Sequence, residues 1–203
     1  MTNKEHTTKL ILTGLMMAMI VAATILIIIP VPFGNGYIHL GDTMIFLSVL
    51  ILGWRYGAVA AGFGSALADI LIGFAIWAPW TLIIKGLMAI IMGLFVLKSI
   101  GKQGRSILGV PVRQLIGMLI AGLVMVAGYY VAEGLIYGNF IVAILGIPWN
   151  ILQFTAGTAL AVLLAAALYK TPAREYFAYK PIKDIPTAGS AKTKADNKQD
   201  GEK

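Results

Sequence analysis

Cysteine is absent from the 203 residues, which excludes a disulfide framework, a thiolate zinc site and a thiol nucleophile. Histidine is nearly absent, with only His6 and His39, and His6 lies in the polar N-terminal stretch. A histidine-rich metal centre is therefore not expected. Charge is scarce as well: 12% of residues are charged, against about 25% in an ordinary soluble domain. Acidic residues are the rarer sign, nine against sixteen Lys and Arg. So little charge cannot cover a water-exposed surface. What is abundant is apolar: 59% of residues, with a mean hydropathy of +0.84. Disorder is excluded by the same figure. The chain is a small polytopic membrane protein by composition, too short for most complete transporters.

A bilayer core of about 30 Å needs about 20 mostly apolar residues in a helix. Leu10–Ile29 is such a run without charge. Gly57–Ile76 is interrupted only by Asp69, and Pro79–Leu97 only by Lys85. Leu115–Ala132 and Pro148–Tyr169 are uncharged. Thr43–Gly53 is shorter and needs Tyr37–Asp42 to reach across. The expected fold is an all-α integral membrane protein of six transmembrane helices. Residues 1–8 form an N-terminal extension, 9–172 the membrane domain, and 173–203 a Lys-, Ala- and Thr-rich solvated tail expected to be disordered. The first run is too long for a signal-peptide core and has no small-residue cleavage site before Pro30, so it reads as a retained helix.

Six spans put both termini on one side, and the basic residues say which. Segments 30–42, 74–79 and 133–147 carry no Lys or Arg. Fifteen of the sixteen basic residues fall on the other side; the sixteenth is Lys85. By the positive-inside rule that side, with both termini, is cytoplasmic. The net charge of +7 thus reports orientation in a cell membrane and not a nucleic-acid partner.

Polar residues inside spans are costly and commonly functional. Counting along the helices puts Asp69 and Lys85 roughly 9–10 Å below the outer surface on adjacent antiparallel spans, so an ion pair between them is expected. Tyr37, His39 and Asp42 lead into the second span from outside. Trp77, Trp80, Tyr129, Glu133, Asn150 and Gln153 fall at the same outer level. The inner halves are almost wholly apolar. The asymmetry suggests an outward-opening polar pocket with an apolar floor, and these residues, with Lys85, are the candidate substrate contacts. Each has a plainer reading too. Trp and Tyr populate interfacial belts, Asn150 beside Pro148 can cap its helix, and Asp42 and Glu133 can be solvated helix ends. Gly14, Ala18 and Ala22 recur every four residues on the first span. That small-residue stripe suits close helix packing, either inside the protein or against a partner.

Catalytic patterns are missing. No GxxxxGK[ST] loop occurs; Gly101-Lys102 lacks the upstream glycine. Ser65 has no histidine in a later span, the aspartates lack an aspartyl-protease pattern, and no HExxH is present. The chain reads as a binder or carrier, not an enzyme. An accessory scaffold without a small ligand is the alternative of another class.

The stretch Tyr37-Ile38-His39-Leu40-Gly41-Asp42-Thr43, the run Tyr56-Gly57 through Ser65 to Asp69, the segment Trp77-Ala78-Pro79-Trp80-Thr81 through Lys85-Gly86, and Pro148-Trp149-Asn150-Ile151-Leu152-Gln153 occur in that order. Together, over about residues 10–170, they resemble the S components of energy-coupling factor (ECF) vitamin transporters. The branch they resemble is the one associated with hydroxymethylpyrimidine and vitamin B6 compounds. The resemblance implies six membrane helices and a vitamin site near the outer face, closed in part by the loop between helices one and two. It implies that the chain holds no cofactor of its own. ATP would be used by two ATP-binding partner subunits, joined through a transmembrane coupling protein, the T component. It further implies that Ala18 and Ala22, extended by Gly14, meet that protein. Aromatic side chains would suit a flat heteroaromatic ring. An unpaired Lys85 would instead suit a carboxylate such as pantothenate.

Overall fold

The computed structural model describes residues 3–30, 37–100 and 105–178. Helix α1 covers Asn3–Leu26 and runs into a short antiparallel hairpin of β1 (Ile28–Pro30) and β2 (Tyr37–His39). Helices α2 (Gly41–Leu52), α3 (Trp54–Leu71) and α4 (Ala78–Ser99) follow. A second small hairpin, β3 (Ser106–Ile107) with β4 (Val110–Pro111), precedes α5 (Val112–Tyr137). A four-residue α6 (Phe140–Ala143) and a 3-10 turn lead into α7 (Ile147–Leu168), and a last 3-10 turn spans Pro172–Tyr176.

Four of these helices are long and apolar enough to cross a membrane: α1, α4, α5 and the α6–α7 stretch. Their limits differ by a few residues from the apolar runs. Ile28 and Ile29, expected at the end of the first span, belong to β1. The third span ends early, since α3 stops at Leu71 and the chain turns through Gly73 at a φ of +89°.

The short α2 explains itself by its surroundings. It packs against α1, α3, α4 and α7, while α1, α3, α4, α5 and α7 are successive neighbours around it. A helix that is apolar on every side belongs in the middle of a bundle. Ile45, Phe46, Val49 and Leu50 are all fully buried. Glycine makes the close approaches possible. A Cβ on Gly57 would sit 3.0 Å from the Val49 backbone, and one on Gly157 would sit 2.8 Å from Asp42 Cβ. Gly157 follows Gln153 by one turn of α7, so the close approach there presents Gln153 to the first turn of α2. Gly157→Val should push α7 off α2. Overpacking of this kind costs about 1–3 kcal/mol, and thermal unfolding should come several degrees earlier. An unchanged melting curve would show that the contact can give way.

Basic residues gather at one end. Lys9 of α1 lies 5.7 Å from the Tyr56 ring of α3, Arg55 stacks on Trp54, and Arg113 of α5 donates to the Lys98 carbonyl of α4 at 2.7 Å. Residues 173–178, expected in the tail, are folded at this same end. Phe177 is buried with its ring 4.4 Å from that of Tyr169, and the Ala178 N–H donates to the Leu50 carbonyl at 2.9 Å. The remainder of the expected tail, and the basic residue Lys102, lie outside the described residues.

Candidate functional site

The polar residues of the opposite end converge on the first turn of α2. Asp42 and Lys85 are both fully buried and form an ion pair at 2.5 Å. The expected Asp69–Lys85 pair is therefore corrected: Lys85 is neutralised by Asp42. The depth count assumed that every element starts at the membrane surface. Instead, the β1–β2 hairpin carries the start of α2 down to the level of Lys85, seven residues into α4. The N-terminus of α2 adds its own partial positive charge beside the Asp42 carboxylate.

The network extends from there. Gln153 donates from Nε2 to Asp42 Oδ2 at 3.1 Å, and its Oε1 accepts the His39 backbone N–H at 3.2 Å. His39 is buried, and its Nδ1 accepts the Gly41 N–H at 3.0 Å. An imidazole accepting at Nδ1 carries its proton on Nε2 and is neutral. Lys85 also donates to Met125 Sδ at 2.9 Å and lies 5.3 Å from the centre of the Tyr129 ring. Met125 and Tyr129 are one turn apart on α5, so one helix face supplies both a soft acceptor and a cation–π surface to the ammonium.

Above this lies an aromatic layer. Trp77 is buried, 6.3 Å from Tyr129 and 6.0 Å from Tyr137 by ring centres. Trp80 is half-buried against the core. Tyr129 donates to the Thr81 hydroxyl at 3.2 Å. Tyr37 stands 5.1 Å from the Phe74 ring and 5.4 Å from the His39 ring, and its hydroxyl donates to Asp69 Oδ1 at 2.5 Å. So Asp69, two residues from the end of α3, binds the hairpin through Tyr37.

Glu133 and Asn150 lie apart from this cluster, beside Gly146. Asn150 donates to the Gly146 carbonyl at 3.1 Å. A side chain at Gly146 would collide with Glu133, so that glycine seats the carboxylate. Of the ten candidate contacts, Tyr37, His39, Asp42, Trp77, Lys85, Tyr129 and Gln153 are connected, while Glu133 and Asn150 stand apart and Trp80 lies at the core's edge. Met125, Thr81 and Phe74 complete the cluster. Met125 carried a faint signal in its four-residue spacing from Tyr129, but methionine in an apolar helix reads as core. Among the described residues, no three His, Asp or Glu side chains come together to hold a metal ion.

On α1, the side chains that pack inward are Thr13, Met16, Ile20 and Thr24. Positions two residues away lie about 200° around the helix. Ala18 is accordingly exposed, Ala22 half-buried, and a Cβ on Gly14 would meet nothing within 4 Å. The small-residue stripe faces away from the bundle.

The family model for the S component of the ECF-type riboflavin transporter matches residues 4–170. The chain belongs to this family of ECF transporter S components. It is 31% identical over 170 residues to the thiamine precursor transporter HmpT of Lactococcus lactis, covering 83% of this chain and 92% of that protein. An uncharacterised protein of Pyrococcus woesei is 40% identical over 119 residues, 59% of this chain and 74% of that protein. Two solved structures share the fold. The S component of a bacterial ECF transporter aligns at a TM-score of 0.61 and 22% identity, over 81% of this chain and 97% of that one. The biotin S component of an ECF-type ABC transporter aligns at 0.67 and 21% identity, over 87% and 99%. S components are multi-pass membrane proteins and not enzymes. They bind small vitamin substrates and work with a T component and ATPases.

Proposed function

We propose that this S component captures a vitamin precursor with a heteroaromatic ring, hydroxymethylpyrimidine or a vitamin B6 compound, at the cluster around Asp42, Lys85 and Gln153. Energy for uptake then comes from ATP used by two ATP-binding subunits through the T component. The observation that carries this reading is the paired state of Lys85. With Asp42 cancelling the only cation of the cluster, the site offers a carboxylate ligand such as pantothenate no free counter-charge. What it offers is aromatic faces at Trp77, Tyr129 and Tyr37, with hydrogen-bonding groups beside them, suited to a flat polar ring. The thiamine precursor named for the Lactococcus relative is of this chemical kind.

The same geometry supports six crossings, with both termini and the tail from 173 onward in the cytoplasm. Twelve residues of α2 rise about 18 Å, too little to span alone. But Lys85 and Gln153, its partners, lie about 9–10 Å below the starts of α4 and α7, so the hairpin and α2 together cover about 28 Å. The one-ended collection of Lys9, Arg55, Lys98, Arg113 and Arg174 then marks the cytoplasmic side of a cell membrane.

A thermal-shift panel on the purified protein tests the ligand. A ligand binding only the folded state at 1,000 times its Kd adds about 4 kcal/mol. Hydroxymethylpyrimidine or pyridoxine should therefore raise the melting temperature by several degrees, and pantothenate and folate should not. Riboflavin belongs in the panel because the family model bears its name. Stabilisation by riboflavin alone would replace the precursor reading. No shift with any vitamin would remove ligand capture altogether.

A further inference from the structure

Asp69 is the one carboxylate of the cluster that Lys85 does not neutralise. Its residue is 4% exposed, and its two oxygens are treated differently. Oδ1 accepts from the Tyr37 hydroxyl. Oδ2 is sealed from solvent and has no hydrogen-bond partner among the described residues. The Thr81 oxygen accepts from the Tyr129 hydroxyl. Tyr37 ties the Asp69 carboxylate to the Asp42–Lys85–Gln153 network: its ring lies 5.4 Å from that of His39, whose backbone N–H donates to Gln153. A buried carboxylate oxygen without a partner costs free energy that a ligand donor would recover.

Resting on the carrier reading above, we propose that Asp69 is the specificity-determining residue. Its free Oδ2 receives the N–H of an amino-substituted heteroaromatic ring. An aminopyrimidine edge places an amino donor beside a ring nitrogen. That edge suits the carboxyl group in either protonation state. An ionised Asp69 accepts the amino hydrogen, with a protonated ring nitrogen beside it. A protonated Asp69 accepts the amino hydrogen on one oxygen and donates from the other to the ring nitrogen. A pyridine ring bearing only hydroxyl and hydroxymethyl groups lacks this edge. A carboxylate ligand would find Lys85 already taken by Asp42. Among heteroaromatic precursors, the structure therefore favours the amino-bearing pyrimidine over the B6 compounds.

The test is a set of binding titrations on the full-length protein in detergent. The ligands are 4-amino-5-hydroxymethyl-2-methylpyrimidine, its 4-hydroxy counterpart, pyridoxine and pantothenate. A hydrogen bond to a charged group is worth about 1.5–3 kcal/mol, or about 10- to 150-fold in affinity. The wild-type protein should prefer the amino compound to the 4-hydroxy compound by at least about tenfold. Asp69→Asn should weaken the amino compound by a similar factor and bring the two ligands within about threefold of each other. The wild-type ratio needs no variant, so the proposal stays testable if Asp69→Asn fails to fold. Wild-type affinities for the two pyrimidines within threefold, an unaltered preference in Asp69→Asn, or tightest binding of pantothenate would each overturn the role of Asp69 and leave the S component a vitamin carrier. Binding of none of the four would instead remove the precursor reading itself.

Discussion

Lys85→Met should destabilise the protein by about 3–5 kcal/mol, the cost of leaving a buried charge without its partner. The site makes this cost hard to avoid. Asp42 is fully buried, and the groups left to it would be the Gln153 amide at 3.1 Å and the start of α2. Those two can orient a carboxylate but cannot neutralise it. The damage would not stay local, because Gln153 also holds the His39 backbone, and so the hairpin, through its other amide atom. Asp42→Asn in the same background removes the stranded charge. Replacing both members of a buried pair with neutral groups of similar shape is commonly near neutral for stability. The double variant should therefore regain most of the lost stability, and the two single variants should each melt well below it. Tryptophan fluorescence during thermal unfolding reads all four proteins. Equal melting of the single and double variants would mean that Lys85 contributes through packing on Met125 and Tyr129 and not through its charge. Ligand binding gives an independent reading: even the stable double variant should bind poorly, since its network has lost a cation and an anion at the site.

How far the residues alone led is clearest at this pair. The long apolar helices were legible, since about 20 apolar residues without charge have few other uses. The convergence of polar groups at one end of the bundle was legible for the same reason: a buried Lys, Asp or Gln needs a partner. Gln153 stood out as one turn too deep for capping, and it bonds Asp42. The identity of the partner was not legible. Counting residues from helix starts assigns depth only where each helix begins at the surface, and the β1–β2 hairpin breaks that assumption. Neither strand carries an alternating pattern long enough to announce itself: Ile28–Pro30 completes an apolar run, and Tyr37–His39 is three residues. Once the hairpin sinks, Asp42 takes Lys85 and Asp69 is left to Tyr37. Glu133 and Asn150 fall at the same level by residue count, but depth says nothing about direction around a helix, and they lie apart from the network. The α1 stripe was ambiguous for a related reason. Spacing defines a face but not what the face meets.

Packing now resolves that ambiguity into an experiment on transport. Gly14→Leu combined with Ala18→Trp should reduce uptake by cells to the level of cells without the transporter. Affinity for ligand in detergent should stay within about twofold, well under the 1.4 kcal/mol of a tenfold change. Both positions lie on the open side of α1, where Gly14 has no neighbour within 4 Å, so larger side chains have room in the isolated protein. The inward contacts of Met16, Ile20 and Thr24 are untouched. What large side chains prevent is close approach by another helix. Small residues at intervals of four permit such an approach in a membrane, where packing and not the hydrophobic effect drives association. If this face receives the T component, coupling fails while the ligand site stays intact. Met19→Trp, on a neighbouring exposed position of the same helix, controls for bulk alone and should reduce uptake less. Loss of binding together with uptake would show that the stripe supports the fold. Full uptake by the double variant would move the coupling surface to another helix. Because the proposed ligand site lies at the end of the bundle opposite the basic residues and the stripe runs along the outside of α1, the two losses can be separated by mutation, and a subunit that binds without transporting is the expected product.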